Sequence, residues 1–349
     1  MDSKNYSQFG IKFWVIAASI VIVIAGIREM ASLVTPLFLA LFITSICYGP
    51  FLWLQKKGMP EILSLITVIF GIAVLTTLVG AVLGASISGF VEKIPFYEEK
   101  FNLYWIDINR WFVDLGWLDK KAGLAEQIKP SSIVSIAGDI FTGLGNLMSN
   151  FILVLIVVIF TLLEISTFIK KMKLISKDSL RKMDSVVHNM NTYFGTKTIT
   201  SIITGIFVAI ALAIIGVDFP LLWGFLAFLL NYIPNIGSVI AAIPAVLLAL
   251  VQLGLTSAIE AAVVFLIVNG VIGNIVEPKI MGKNLGLSSL IVFISLIFWG
   301  WILGTVGMLL AVPLTMTIKI IFDSMDETKN IGLLMGDESS LEHFKQDSQ

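Results

Sequence analysis

Between Phe219 and Val251 the chain reads FPLLWGFLAFLLNYIPNIGSVIAAIPAVLLALV, an apolar run without a charged side chain. The run is too long for one straight crossing of a bilayer, which takes about 20 helical residues. It is interrupted at Asn231–Gly237, where asparagine, proline and glycine disfavour a continuous helix. Each arm has about 15 residues, or roughly 22 Å of helix, which is shorter than the hydrocarbon core. The stretch therefore predicts a broken helix or a re-entrant hairpin.

The same anomaly returns nearer to the C-terminus. Leu290–Ile321 is also too long for one span, and it carries GWILGTVG (Gly300–Gly307) in its middle. Over the whole chain 57% of residues are hydrophobic and only 13% are charged, whereas soluble domains have about 25% charged residues. The mean hydropathy is +0.95. We predict an all-α, polytopic integral membrane protein with about seven or eight membrane segments, two of them broken helices or re-entrant hairpins. The other candidate spans are Phe13–Ile27, Met30–Leu54, Ile62–Phe90, Asn150–Ile169, Thr198–Gly216 and Ala258–Val276.

Polar stretches between the spans predict the organisation of the chain. Charged residues and an aromatic helical face in 91–147 indicate an amphipathic helical region outside the cytoplasm. The basic residues of 170–182 indicate a cytoplasmic helix, and a hairpin at 219–251 would put Lys279 and Lys283 on that side too. The predicted order is membrane segments 1–3 in 1–90, the extracytoplasmic region 91–147, membrane segment 4 in 148–169, the basic amphipathic helix 170–197, the broken membrane segments 198–322 and a polar tail 323–349. Both termini then lie in the cytoplasm.

The sequence offers little material for catalysis. It contains no HExxH, nucleophile-elbow or Walker A motif and no paired membrane carboxylates. One cysteine, Cys47, and two histidines, His188 and His343, do not suggest a metal site. A net charge of −1 gives no basic field for nucleic acid. We therefore expect no enzyme activity, no cofactor and no metal.

The best functional candidate is the break itself. An interrupted helix frees backbone amides and carbonyls at membrane depth, where half-helix ends bind solutes in transporters. The candidate substrate-pathway residues at the break are Asn231, Tyr232, Pro234, Asn235 and Gly237. The alternative is a proline kink that only shapes packing.

Further along the chain, Asn274 and Glu277 share a helical face, and Gly304 lies in the second break. Glu277 lines a pathway, or else forms a solvated ion pair with Lys279 or Lys283. Trp299 and Trp301, which flank Gly300, are alternatively membrane-interface anchors. A polar stripe on the fifth span is typical of helix packing and contains Lys197, Ser201, Thr204 and Gly205.

The positions of the ionisable residues indicate the class of solute. None lies near the centre of a proposed span, whereas cation pumps place such groups inside the membrane. This pattern favours a neutral, hydroxyl-rich solute over a coupled cation. Glu164, Glu260 and Glu277 are the residues that could reverse this interpretation.

The last third of the chain resembles a known family. The stretches that carry the resemblance are Phe219–Gly224, Asn231–Ser238, Asn274–Gly282, Gly286–Ser288 and Phe298–Thr315. They are similar to the autoinducer-2 exporter family, and the resemblance extends over nearly the whole chain. It implies a homo-oligomeric bacterial inner-membrane exporter of autoinducer-2, a small furanone-derived polyol, with a role in quorum sensing and biofilm formation.

Two other functions stay open at this point. Some members of the family are described as sodium/proton antiporters, which would make Glu277 and Glu164 essential. A non-transport membrane scaffold would use 91–147 as its docking surface.

Overall fold

The computed structural model describes residues 14–15, 18–19, 21–114, 151–175, 177–234, 236–281, 286–323, 325 and 327–337. Within these residues the secondary structure is helical without a strand, which confirms the all-α prediction. Residues 115–147 of the predicted region 91–147, most of the tail 323–349 and Asn235 lie outside the described residues. The helices are α1 (Ala31–Lys56), α2 (Glu61–Asp114), α3 (Phe151–Ile175), α4 (Lys177–Ile215), α5 (Pro220–Leu230), α6 (Gly237–Leu253), α7 (Leu255–Val271), a π-helix (Ile272–Val276), α8 (Glu277–Met281), α9 (Ser289–Asp323) and α10 (Lys329–Met335).

Long apolar helices confirm the polytopic membrane fold. Among the described residues, five helices are long and apolar enough to cross a bilayer, and three further apolar helices are shorter. Many of their large hydrophobic side chains are exposed, among them Phe70, Phe160 and Ile214. Lipid accommodates such surfaces, whereas water does not.

Helix α2 differs from the predicted boundary at residue 90. The change in composition there does not end the helix, which continues past Pro95 to Asp114. The candidate membrane span within it, Glu61–Leu103, also extends beyond Phe90. Charged residues are compatible with a continuing helix, because a change of solvent does not require a change of backbone geometry.

The chain forms two compact units. One consists of 45–151 and 183–285, and contains α5 and α6; the other consists of 1–44, 152–182 and 286–349, and contains α9. Each unit has one of the predicted helix breaks.

In the first unit, α5 and α6 form a hairpin. The backbone N–H of Asp218, just before α5, donates to Oε1 of Gln252 near the end of α6 at 2.8 Å. The Gln252 side-chain amide in turn donates to the carbonyl of Gly216 at 3.1 Å. The chain therefore returns to its starting point after the break, so that 219–251 is not one extended rod. At the tip, a Cβ on Gly237 would overlap the carbonyl oxygen of Leu230, so only glycine fits.

A cluster of polar groups at the base of the hairpin joins it to α2. Oδ2 of Asp218 accepts hydrogen bonds from Lys93 and from the Tyr97 hydroxyl, both at 2.7 Å. The Trp223 indole donates to the Asp218 carbonyl at 3.0 Å. Burial alone would raise the pKa of Asp218, but the Lys93 ammonium and the hydrogen bonds outweigh it and hold the pKa below its ordinary value.

Helices α4 and α5 pack with their backbones in close approach. A Cβ on Gly205 would lie 2.7 Å from the Gly224 carbonyl oxygen, and one on Gly224 would lie 2.6 Å from Cβ of Ala209. Small residues permit this contact, as is common between membrane helices. The hairpin is thereby held directly against the polar face of α4.

In the second unit, α9 folds back on itself. Gly304 has φ +66° and ψ −148°, which is not helical and which glycine adopts readily. The Trp299 indole donates to Oγ1 of Thr315 at 3.1 Å, although 16 residues of straight helix would separate the two by about 24 Å. Gly307 would overlap the Trp299 carbonyl if it carried a Cβ.

The two tryptophans at this second break have different environments. Trp299 is buried, so it is not an interfacial anchor, whereas Trp301 is 54% exposed. The Arg28 guanidinium lies 4.4 Å from the Trp301 ring centroid.

We expect Gly237→Ala and Gly307→Ala each to destabilise the protein by about 1–3 kcal/mol, since the added methyl group forces packed backbone apart. Gly71→Ala is the control, because its Cβ meets nothing within 4 Å. Thermal unfolding in detergent measures the effect. Unchanged melting temperatures for both variants would contradict the tight hairpin tips.

Asp218→Asn tests the polar cluster. Because the pKa of the folded carboxyl is lowered, its stabilisation is present above the ordinary value of 3.8 and is lost as the pH falls through the folded value. The variant should therefore melt below the parent at pH 7, and the difference should shrink toward pH 3. Glu99→Gln, at an exposed position on α2, is the control, and a difference independent of pH would count against the ionic interaction.

Candidate solute site at the helix break

The break between α5 and α6 satisfies most of its own backbone. The amides of Asn231, Tyr232 and Ile233 donate to carbonyls of the last turn of α5. Those of Ile236 and Gly237 donate to Pro234 and Ile233. We expected unwound amides to face the solute, but these amides are occupied. At these five positions the break offers side chains and carbonyl oxygens.

Helix α4 supports the break through side chains spaced one turn apart. The Asn231 amide donates to Oγ of Ser201 at 3.0 Å, and the Tyr232 hydroxyl donates to Oγ1 of Thr198 at 2.9 Å. A longer contact of 3.5 Å joins the Tyr193 hydroxyl to the Tyr232 carbonyl. Residues three or four apart lie on the same face of a helix, and Tyr193, Lys197, Thr198 and Ser201 follow this periodicity, which aims the polar side of α4 at the break. The stripe on α4 therefore does more than pack helices.

A buried ion pair completes this arrangement. Nζ of Lys197 lies 2.6 Å from Oε1 of Glu277, and the side chains are only 5% and 17% exposed. The same ammonium donates to the Asn231 carbonyl at 3.4 Å. Lys197 thus joins α4, the break and α8. Glu277 therefore pairs with a residue of a different helix and not with Lys279, while Lys283, the other predicted partner, lies outside the described residues.

A π-helix positions Glu277. The segment Ile272–Val276 lies between α7 and α8, and the amide of Glu277 donates to the Ile272 carbonyl five residues before it. Pro278 gives a local reason, because a proline ring clashes with the carbonyl four residues earlier, here that of Asn274. The wider turn relieves this clash. Such π-segments are frequent at functional sites.

These elements line an open cavity of about 570 Å³ in the first unit, a size typical of small-molecule sites. Its polar lining combines the ion pair with hydroxyl and amide groups, while the remaining wall is apolar or glycine. One amide, Asn269, already donates to the Phe265 carbonyl at 2.7 Å, which leaves its oxygen as an acceptor. The polar lining residues are Lys197, Asn231, Ser238, Asn269, Asn274 and Glu277, and the others are Ile233, Pro234, Val239, Ala242, Val246, Ala262, Phe265, Leu266, Gly270 and Gly273.

The structure sorts the predicted site residues into three groups. Those that line the cavity are Asn231, Pro234, Asn274 and Glu277. Tyr232 and Gly237 are buried and shape the break. Gly304 belongs to the break in α9, and Asn235 lies outside the described residues.

Sequence reasoning missed Lys197, Ser238 and Asn269 as cavity residues. Lys197 left a signal, because it is the charged residue at the start of the apolar span Asn191–Ile215, and a lysine in such a place needs a partner. Asn269 precedes Gly273 and Glu277 by one and two turns, so it shares their face. Ser238 gave no signal apart from its position next to Gly237.

Breaking the ion pair should be costly. Glu277→Gln leaves the Lys197 ammonium buried without its counter-charge, for which about 3–5 kcal/mol of destabilisation is typical. Removing both charges in Lys197→Met/Glu277→Gln should recover most of that loss. The exposed pair Lys171–Glu164 is the control, because Glu164→Gln should change stability by about 0–1 kcal/mol. Melting temperatures in detergent measure all three variants, and a double variant that is no more stable than Glu277→Gln would disprove the coupling.

Comparison with known proteins agrees with this architecture. Residues 16–327 match the family described as AI-2E family transporter. A protein of Haemophilus influenzae described as a putative transport protein is 36% identical over 337 residues, which cover 94% of this chain and 96% of that protein. The AI-2 transport protein TqsA of Escherichia coli K12 is 36% identical over 94% of this chain and 96% of its own length. The putative transport protein YhhT of the same strain is 33% identical, with coverage of 96% and 97%. The chain therefore belongs to the AI-2E transporter family and is a multi-pass membrane transporter.

Proposed function

We propose that the protein exports autoinducer-2, or a similar small neutral polar solute, across the inner membrane of a bacterium through the cavity beside the α5–α6 hairpin. The observation that carries this proposal is the lining of the cavity. Amide, hydroxyl and carboxylate groups, most of them partly buried, stand there against an apolar wall. Such a surface binds a compact molecule that presents several hydroxyl groups.

The charges of the cavity favour a neutral solute. Lys197 and Glu277 are the ionisable residues among those that line it, and they are paired with each other at 2.6 Å. A charged solute would have to break this pair or enter without a counter-charge, and both are expensive in a low-dielectric site. A polyol avoids this cost, because its hydroxyl groups both donate to and accept from amides.

The name of one relative supports the identity of the solute. TqsA of Escherichia coli K12 is described as an AI-2 transport protein, and its similarity extends over nearly the whole chain. Export, a role in quorum sensing and biofilm formation, homo-oligomeric assembly, cytoplasmic termini and a re-entrant position of the hairpins are parts of the same proposal. Antiport of sodium and protons is the second candidate, because Glu277, a carboxylate, lines the cavity.

Filling the cavity should stop transport. Ala242 lines the cavity, whereas Ile243 is its neighbour on α6 and is 48% exposed. We expect Ala242→Trp to abolish the flux of labelled autoinducer-2 in liposomes and Ile243→Trp to retain it, at equal amounts of inserted protein. Equal flux through both variants would reject the cavity as the pathway.

Imposed gradients separate the two candidate functions. A neutral-solute transporter moves labelled solute and produces no sodium-dependent pH change in everted vesicles. An antiporter produces a sodium-dependent pH change and does not move the labelled solute. That pH change should then be lost in Glu277→Gln.

A further inference from the structure

The carboxylate of Glu277 has the environment of a cation site. It lies in a cavity at the first residue of α8, and its side chain is only 17% exposed. A carboxylate in such surroundings must bind a cation, take up a proton or pair with a base, because an isolated buried charge is too costly. In this chain the requirement is met by Lys197, whose ammonium contacts Oε1 directly.

We propose that Lys197 acts as a tethered cation: its ammonium occupies the position at which a coupling proton or sodium ion would bind Glu277, so that transport through this cavity is uncoupled from ion gradients. The inference rests on the proposed function, and it adds how that function is energised. It also assigns to Lys197 a role in fixing the coupling behaviour of the site.

The ammonium is held in place by more than the ion pair. The Lys197 side chain is only 5% exposed. The Asn231 carbonyl accepts a second hydrogen bond from its Nζ. A free ion at the same position would exchange with the solution as the site opens to each side. A lysine on α4 cannot leave, so the pair carries no net charge through the transport cycle.

The other ionisable groups near Glu277 do not substitute for Lys197. The Tyr193 hydroxyl is directed at the Tyr232 carbonyl, and the Tyr232 hydroxyl donates to Thr198. Both phenols are neutral near pH 7, so neither neutralises a carboxylate. Lys279 is exposed on α8, and Lys283 lies outside the described residues.

The first test is chemical and independent of transport. Dicyclohexylcarbodiimide modifies protonated carboxyl groups in apolar surroundings, and mass spectrometry locates the product. In the full-length parent protein Glu277 should resist labelling, because it is ionised and paired. In Lys197→Met it should become labelled several-fold more, with protection at high pH or by sodium, whereas Lys197→Arg should resist as the parent does.

This test has a matched control and a decisive contrary outcome. Glu260, which is exposed on α7, should react equally in all variants, so Glu260→Gln identifies its contribution to the signal. Strong labelling of Glu277 in the parent overturns the proposal even if Lys197→Met does not fold. Equal resistance in a folded Lys197→Met protein overturns it as well.

The second test is flux in liposomes. Parent flux should be the same with and without imposed proton or sodium gradients. Lys197→Met should become dependent on pH, by up to about tenfold per pH unit as one proton binds, or dependent on sodium. Lys197→Met/Glu277→Gln should lose that dependence.

The outcomes distinguish this inference from the proposed function. Solute flux in the parent that is driven by an ion gradient would reject the tethered-cation role of Lys197, while the proposed transport of the solute would stand. If the expected labelling pattern is found but no solute flux is detected, the proposed solute is rejected, while the pairing of Lys197 with Glu277 in place of a free cation stands. Flux through Lys197→Met that ignores both gradients would end the inference by itself.

Discussion

The structure depends on one constraint of the bilayer, which is that a helix broken at membrane depth must find partners for its backbone within the protein. The break after Leu230 meets this constraint mainly with itself, since its amides donate to nearby carbonyls. Glycine at position 237 makes the solution possible, because a Cβ there would overlap the Leu230 carbonyl. The amides of residues 231–233, 236 and 237 are therefore occupied within the hairpin, and at these positions side chains and carbonyl oxygens are left for binding.

Because the side chains of the break need partners, α4 is polar where it faces the hairpin. Ser201 accepts a hydrogen bond from the Asn231 amide, and Thr198 accepts one from the Tyr232 hydroxyl. The Lys197 ammonium donates to the Asn231 carbonyl and pairs with the Glu277 carboxylate. The close approach of Gly205 and Gly224 brings these groups within reach. Packing and polarity on α4 are thus parts of one arrangement: the small residues set the distance at which the polar residues bind.

The sequence predicted the fold better than it predicted the site. Apolar run lengths and the Pro/Gly/Asn cluster identified the spans and the break, because bilayer thickness and proline geometry act locally. The partner of Glu277 could not be found in this way. Lys197 is 80 residues away along the chain, and nothing in local periodicity selects it over Lys279 or Lys283. The sequence also did not indicate that the amides of residues 231–233, 236 and 237 are occupied, since the turn geometry that satisfies them depends on the close contact at Gly237.

The two helix breaks show which features belong to the scaffold and which to the site. Each has a glycine pressed against a carbonyl seven or eight residues earlier, Gly237 on Leu230 and Gly307 on Trp299. Each is followed by an arm that contains a proline, Pro244 or Pro313. Their ionic partners differ. The cation at the second break, Arg28, stacks on an exposed indole, whereas the cation at the first is buried against a carboxylate inside a cavity. Because both breaks share the packed glycine and the following proline, these features account for folding. The buried charge pair is costly to desolvate and is not needed to turn a helix, so its presence at the first break fits the binding role that we propose for the cavity.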